Sequence, residues 1–224
     1  MNEKELLNLS KSKFVKFAPA PWDLKGQGII FAYKIPKSWI NDCAHIPDYL
    51  KKEFKGGLGF LMLVNYHESP VGPYRELLFI PGKFGKSRKH SIISIYVNTP
   101  ASTQNGRANW GIPKSTADIE WKEENGKQVI TVKKLDHIIF SCEVNSGVIP
   151  LPATTSFLPI ELHQRWNGVH FFVEPTGSGW GKLAKLKIKD LDPEYFPDIR
   201  KFRPLFGMNI NPITMHFPEP KFHE

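Results

Sequence analysis

Cysteine is scarce in this sequence: the 224 residues include two, Cys43 and Cys142, too few for a disulfide scaffold and without the spacing of a metal-binding pair. Both read as buried thiols. Long apolar runs are missing too, since no stretch approaches the roughly 18 residues of a membrane helix. The opening Met1-Asn2-Glu3-Lys4-Glu5-Leu6-Leu7 has acidic residues and no apolar core for a signal peptide. A cytoplasmic protein with no membrane partner is the expectation. Histidines stand at 45, 67, 90, 137, 163, 170, 216 and 223, yet none forms an H-x-H or H-E-x-x-H pair, so no metal is expected. Gly177-Ser178-Gly179-Trp180-Gly181 lacks the lysine-serine pair and following helix of a phosphate loop, reads as a wide hairpin turn, and gives no reason to expect a cofactor. No serine or cysteine sits in a nucleophile elbow, and repeats and low-complexity tracts are absent.

What is present is positive charge and many short apolar runs. Thirty Lys+Arg against 22 Asp+Glu give a formal charge of +8 and a pI near 9.4, which invites a nucleic-acid reading until its distribution is checked. Only Lys83-Phe84-Gly85-Lys86-Ser87-Arg88-Lys89-His90 is densely basic. Without a helix-turn-helix, zinc-finger or aromatic RNA-binding signature beside it, this loop reads as a solvated surface, and no nucleic-acid partner is expected. The mean hydropathy of −0.32 is that of ordinary globular chains, which bury a real core.

The apolar runs are bounded by Gly, Pro or Asn, the pattern of a β-rich domain. Expected strands are Gly28 to Lys34, Gly59 to Tyr66, Arg75 to Pro81, Ser91 to Asn98, Ala117 to Lys122, Gln128 to Lys133, His137 to Val144, Val169 to Glu174 and Lys182 to Ile188. Asn125-Gly126 and Asn167-Gly168 mark hairpins, because both central residues of such turns need positive φ. Helices are expected only at Ile46 to Lys55, closed by Gly56-Gly57, and at Glu3 to Lys11. Nineteen prolines argue against long helices anywhere. With no linker-like tract, residues 1–224 are expected to form one antiparallel, closed or nearly closed barrel-like domain, mainly β with few short helices.

Two segments break the strand pattern with polar residues. In the first, Glu68-Ser69-Pro70-Val71-Gly72-Pro73 feeds Tyr74-Arg75-Glu76 and then the apolar Leu77-Leu78-Phe79-Ile80. In the second, a strand ends near Val97-Asn98 in a loop, followed by Gly106-Arg107-Ala108-Asn109-Trp110-Gly111-Ile112-Pro113-Lys114-Ser115. The bland alternative is a charged strand end facing water and an ordinary paired or surface lysine.

On these residues the sequence resembles the acetoacetate decarboxylase family. Tyr74-Arg75-Glu76 is similar to that family's tyrosine-x-glutamate element. Gly106-Arg107 followed, after six intervening residues, by Lys114 is similar to its Gly-Arg segment and Schiff-base lysine. Weaker echoes run from Pro21-Trp22 through Phe157-Leu158-Pro159 to Phe217-Pro218. The resemblance implies a Schiff-base lyase acting on a small oxo acid, with Lys114 and Glu76 carrying the chemistry. Arg107, Tyr74, Trp110 and His67 are the candidate substrate-binding residues, and a homo-oligomer is implied. The chain departs from the pattern at Ser115, Leu61 and Gln27, where the family has a second lysine, a glutamate and an arginine. Aldol-type or hydration chemistry is therefore as open as decarboxylation, and a non-catalytic barrel binding a small apolar or keto-bearing metabolite is the alternative.

A lysine attacks a carbonyl only as the neutral amine, which is rare at neutral pH unless burial or a neighbouring cation disfavours the ammonium. With Ser115 in place of that cation, burial among Trp110, Ile112 and Pro113 is the remaining means. Glu76 would then position groups or transfer protons.

Overall fold

The computed structural model describes residues 15–222 apart from residues 44 and 158. The expected helix Glu3 to Lys11 lies outside the described residues. Strands dominate the rest, and helices are few and short.

Three long strands, β1 (Trp22–Ile35), β2 (Phe54–Glu68) and β3 (Tyr74–Ile80), run antiparallel as neighbours in that order. Their nearly continuous apolar runs follow from burial on both faces, where a half-solvated sheet would alternate. On β2, Phe60, Val64 and Tyr66 face one core with Trp22, Tyr74 and Trp110. Leu61 and Leu63 face another with Phe31, Phe79 and Phe140. Cys43 and Cys142 are free, buried thiols of this second core, and burial pushes both thiols up. The expected helix Ile46 to Lys55 shrinks to the single turn Asp48–Lys51, because the buried Phe54 already belongs to β2. Gly56 and Gly57, read as a helix stop, take φ values of 67° and 108° inside that strand.

The basic loop folds into a small hairpin of β4 (Lys83–Phe84) and β5 (Lys89–His90), with Lys89 paired to Glu161. Strand β6 (Ser94–Val97) pairs with β3. The stretch after Asn98, read as a loop, is the helix Pro100–Trp110. Then β7 (Ser115–Thr116) returns parallel to β6, with Tyr96 opposite Ser115. Parallel neighbours need a crossover; the helix supplies it and sets Lys114 down just before β7, two strands from β3.

The chain continues through β8 (Asp118–Glu124), β9 (Lys127–Lys134), β10 (His137–Thr154), β11 (Leu162–Trp166), β12 (Val169–Val173), β13 (Thr176–Leu191), β14 (Phe206–Phe217) and β15 (Lys221–Phe222). The turns β8–β9 and β11–β12 are the two Asn-Gly hairpins, with Asn125 and Asn167 at φ of 52° and 50°. The wide turn expected at Gly177 to Gly181 is instead the first part of β13. Its glycines serve close packing: a Cβ on Gly177 would lie within contact distance of Met215 Sδ, on the neighbouring β14.

Paired strands follow the path β15-β12-β11-β5-β4-β2-β1-β14-β13-β10-β9-β8. Among the described residues this path does not close, so the architecture is a barrel-like open sheet, and full closure is not reached. The end strand β8 reads Asp118-Ile119-Glu120-Trp121-Lys122-Glu123-Glu124, a charged edge of the kind that discourages further pairing.

Candidate active site

Tyr74 and Glu76 are two residues apart on β3, so their side chains share a face. Strand register puts Tyr66 opposite Tyr74 and Val64 opposite Glu76. The helix Pro100–Trp110 closes over this face. It starts at Thr99, whose hydroxyl accepts from the Ser102 N–H at 3.2 Å with Pro100 in the first turn, and it stops at Gly111 in the left-handed region at φ 61°. Its inner residues are polar yet bonded: Asn105 accepts from Ala18 N–H at 2.7 Å, and Asn109 donates to Ala18 O at 2.8 Å. After Gly111 the Ile112-Pro113 corner is closed by a bond from Lys114 N–H to Ile112 O, 2.7 Å, which turns the lysine inward.

The lysine is buried, 3% exposed, and Glu76 is 4% exposed. Lys114 Nζ donates to Glu76 Oε1 at 2.5 Å and to Ser102 Oγ at 3.0 Å, and it lies 5.0 Å from the centre of the Tyr74 ring. The Tyr74 hydroxyl bonds both Glu76 and Ser102, so amine, carboxylate, serine and phenol form one buried hydrogen-bonded ring. Burial, reinforced by the Glu76 charge, holds the Tyr66 and Tyr74 phenols well above the usual tyrosine range. Both remain O–H donors, Tyr74 beside the amine and Tyr66 on the wall of the same pocket.

Gly106 makes room for the lysine. A Cβ there would stand 2.6 Å from Lys114 Cδ and 2.7 Å from Cε. Arg107 donates from Nε to Lys114 O at 2.8 Å, and its guanidinium sits 4.9 Å from the Trp166 ring centre. It therefore fixes the backbone of the lysine.

The lysine pocket itself is small, about 30 Å³, and adjoins a chamber of about 270 Å³. Tyr66, Glu76, Leu78 and Phe217 line both spaces. The chamber walls come from β1, β2, β10, β13 and β14, and Glu76 is the single charged side chain among the described residues that line it.

Of the six residues expected from sequence, Lys114, Glu76 and Tyr74 come together. Trp110 forms a pocket wall, its indole donating to Pro218 O at 2.8 Å and standing edge-on to Trp22. Arg107 reaches the lysine through its backbone. His67 is exposed on β2, one residue past Tyr66 and outside the ring. Ser102 and Tyr66 were not among the expected residues. Tyr66 follows from the strand period once the hairpin register is known, and Ser102 from the Thr99-Pro100 helix start. Gln27 and Leu61 face away from the chamber: Gln27 bonds Asn209 at 2.8 Å and Leu61 packs in the other core. The inward positions beside them hold Gly28 and Met62. Ser115 is half-buried on β7. Among the described residues no three His, Cys, Asp or Glu side chains group closely enough to hold a metal ion, and no helix is long and apolar enough to cross a membrane.

A buried lysine hydrogen-bonded to a glutamate, on a mainly-β frame with one crossover helix, defines a recognisable class. The chain belongs to the acetoacetate decarboxylase family, whose model matches residues 8–189. Its fold is similar to that of an acetoacetate decarboxylase from Legionella pneumophila, at 14% identity and a TM-score of 0.67, over 98% of this chain and 95% of that one. It is also similar to the enduracididine biosynthesis enzyme MppR complexed with pyruvate, at 12% identity and TM-score 0.63, over 94% and 93% of the two chains. An acetoacetate decarboxylase-like enzyme from Sphingomonas wittichii RW1 matches at 13% identity and TM-score 0.64, over 92% and 94%. No curated protein matches the chain by sequence.

Proposed function

We propose that this protein is a Schiff-base lyase in which Lys114 Nζ attacks the carbonyl of a small oxo acid. The observation that carries the reading is the Lys114–Glu76 contact of 2.5 Å, buried beside a chamber large enough for a substrate. Passing one proton along that bond leaves a neutral amine beside a carboxylic acid. The amine nitrogen then adds to the carbonyl carbon. Glu76, with Tyr74 behind it, gives its proton to the developing oxyanion, then relays to the same oxygen the proton that the added nitrogen sheds; the oxygen leaves as water and yields the iminium. The cationic nitrogen draws electrons from an adjacent C–C bond, so carbon dioxide or an aldehyde departs and an enamine remains. Protonation of that enamine and addition of water release the product and restore the amine.

Support comes from the family, from the relative whose solved complex holds pyruvate, and from the apolar surroundings that make a neutral amine affordable. The same reading takes residues 1–224 as one cytoplasmic domain that assembles with its own copies. Borohydride reduction in the presence of acetoacetate or pyruvate tests the chemistry, with peptide mass mapping of the product. A mass increment on the peptide containing Lys114 is expected, absent from Lys114→Ala; an unlabelled Lys114 with either acid overturns the assignment.

The same short contact favours a second reading, since Glu76 and Ser102 together occupy the amine. In it the pair stays closed and the chamber binds an apolar or keto-bearing metabolite without turnover. Saturable binding of a ketone with no trapped adduct would select this reading.

A further inference from the structure

We infer that the oxo compound reaching Lys114 carries an apolar chain or ring of about ten carbons, housed in the adjoining chamber, with no charge along that chain. The inference rests on the Schiff-base reading and names the substrate class for it.

Size is the first argument. An apolar cavity of about 150 Å³ takes up benzene, six carbons; the chamber of about 270 Å³ is nearly twice that. It lies close to the lower end of known small-ligand sites. A three- or four-carbon oxo acid engaged at Lys114 would leave it unfilled.

Chemistry is the second. Met62, Met208 and Met215 all line the chamber, and they are every methionine after Met1. Flexible, polarisable thioethers adapt to apolar ligands of varied shape. Among the described residues no cation lines this space: Gly28 and Met62 hold the inward positions next to Gln27 and Leu61. A carboxylate on the far part of a substrate would meet apolar walls and the Glu76 charge, and an unpaired buried anion is costly.

Continuity is the third. Tyr66, Glu76, Leu78 and Phe217 belong to both the chamber and the lysine pocket. A carbonyl seated at Nζ therefore has its substituent directed past Glu76 into the larger space.

The test is a series of methyl ketones from 2-butanone to 2-undecanone, with 10-oxoundecanoate as the charged-tail control, each trapped on the full chain with borohydride. Half-saturating concentration is expected to fall roughly fourfold per added methylene until the chamber is full. The charged-tail control should lose most of that gain. Met208→Trp, which fills the chamber, should shorten the preferred chain. Displacement of a fluorescent apolar probe, 1-aminoanthracene, measures occupancy without any covalent step, in the wild type and in Lys114→Ala. Length-dependent displacement without trapping would remove the Schiff base and leave the chamber's occupant standing. Trapping that is indifferent to chain length, or equal for neutral and charged tails, overturns the inference while keeping the lysine chemistry. Absence of length dependence in both assays overturns it as well.

Discussion

Lys114 and Glu76 stabilise one another in a place where neither is comfortable alone. Two charges at 3% and 4% exposure have lost most of their water, and the contact between them offsets that loss only while both are present. Removing the amine alone leaves Glu76 stranded. Lys114→Met is therefore expected to destabilise the fold by about 3–5 kcal/mol, whereas the double change Lys114→Met with Glu76→Gln should recover a substantial part of it. Urea unfolding of the two single variants and the double variant closes the cycle; additive losses would show that the pair is not coupled. Arg107 illustrates a different kind of contribution at this scale. Its bond to Lys114 O and its stacking on Trp166 hold a backbone in place, a role that a lysine of the same charge cannot copy because it lacks the planar fork.

Among the elements, the helix Pro100–Trp110 decides the geometry, and Gly106 is where that decision can be tested. An alanine favours a helix interior by about 1 kcal/mol over glycine. Its Cβ, however, would fall within 2.6 Å of Lys114 Cδ. The lysine's end is flexible and the helix is not, so Gly106→Ala should leave the far-UV circular dichroism near wild type while the disturbed ion pair lowers Tm. The rate of borohydride-trapped adduct formation should fall at least tenfold. Parallel losses of fold and trapping would mean the helix had moved instead. This helix was hard to read from sequence because its buried residues are Ser102, Thr103, Asn105, Gly106 and Asn109, with Trp110 the one large apolar side chain at its end. These residues are held inward largely by hydrogen bonds and close packing, and apolar periodicity is blind to such a face. The strands were legible for the opposite reason: their apolar runs are dense, and Asn125-Gly126 and Asn167-Gly168 announce turns through a φ requirement. Lys114 and Glu76 were legible from a motif. Gln27 and Leu61 show the limit, since one residue of register moves a side chain to the other face of a sheet, and chain position alone does not say which face holds the chamber.

For the molecule as a whole, the pH dependence of stability reports on packing away from the lysine. His90 is buried beside Phe60, and its Nδ1 has no partner among the described residues. Burial, with Lys83 nearby, holds its pKa down to about 4. An unfolded chain takes up that proton near pH 6.5, so between pH 6.5 and 4 the unfolded state binds more protons and stability falls as pH falls. Above pH 6.5 the contribution is fully present. His163, also lowered by burial, acts in the same direction. Urea midpoints are expected to drop from pH 6.5 to 5, before most carboxylates titrate, and His90→Gln should flatten that slope; an unchanged slope would show that His90 is hydrated in the native state. Among the described residues that line the chamber none is a lysine or an arginine.

Strands β1 and β14 come from opposite ends of the described chain and pair with Trp22 against Phe217. Trp110 packs on both aromatic rings and bonds Pro218 O. A growing polypeptide thus has its lysine long before it has the wall that dries it. The lysine pocket is therefore walled only once both ends of the described chain have met, so a truncation ahead of β14 would strip Trp110 of Phe217 and Pro218 and open the side of the pocket to water.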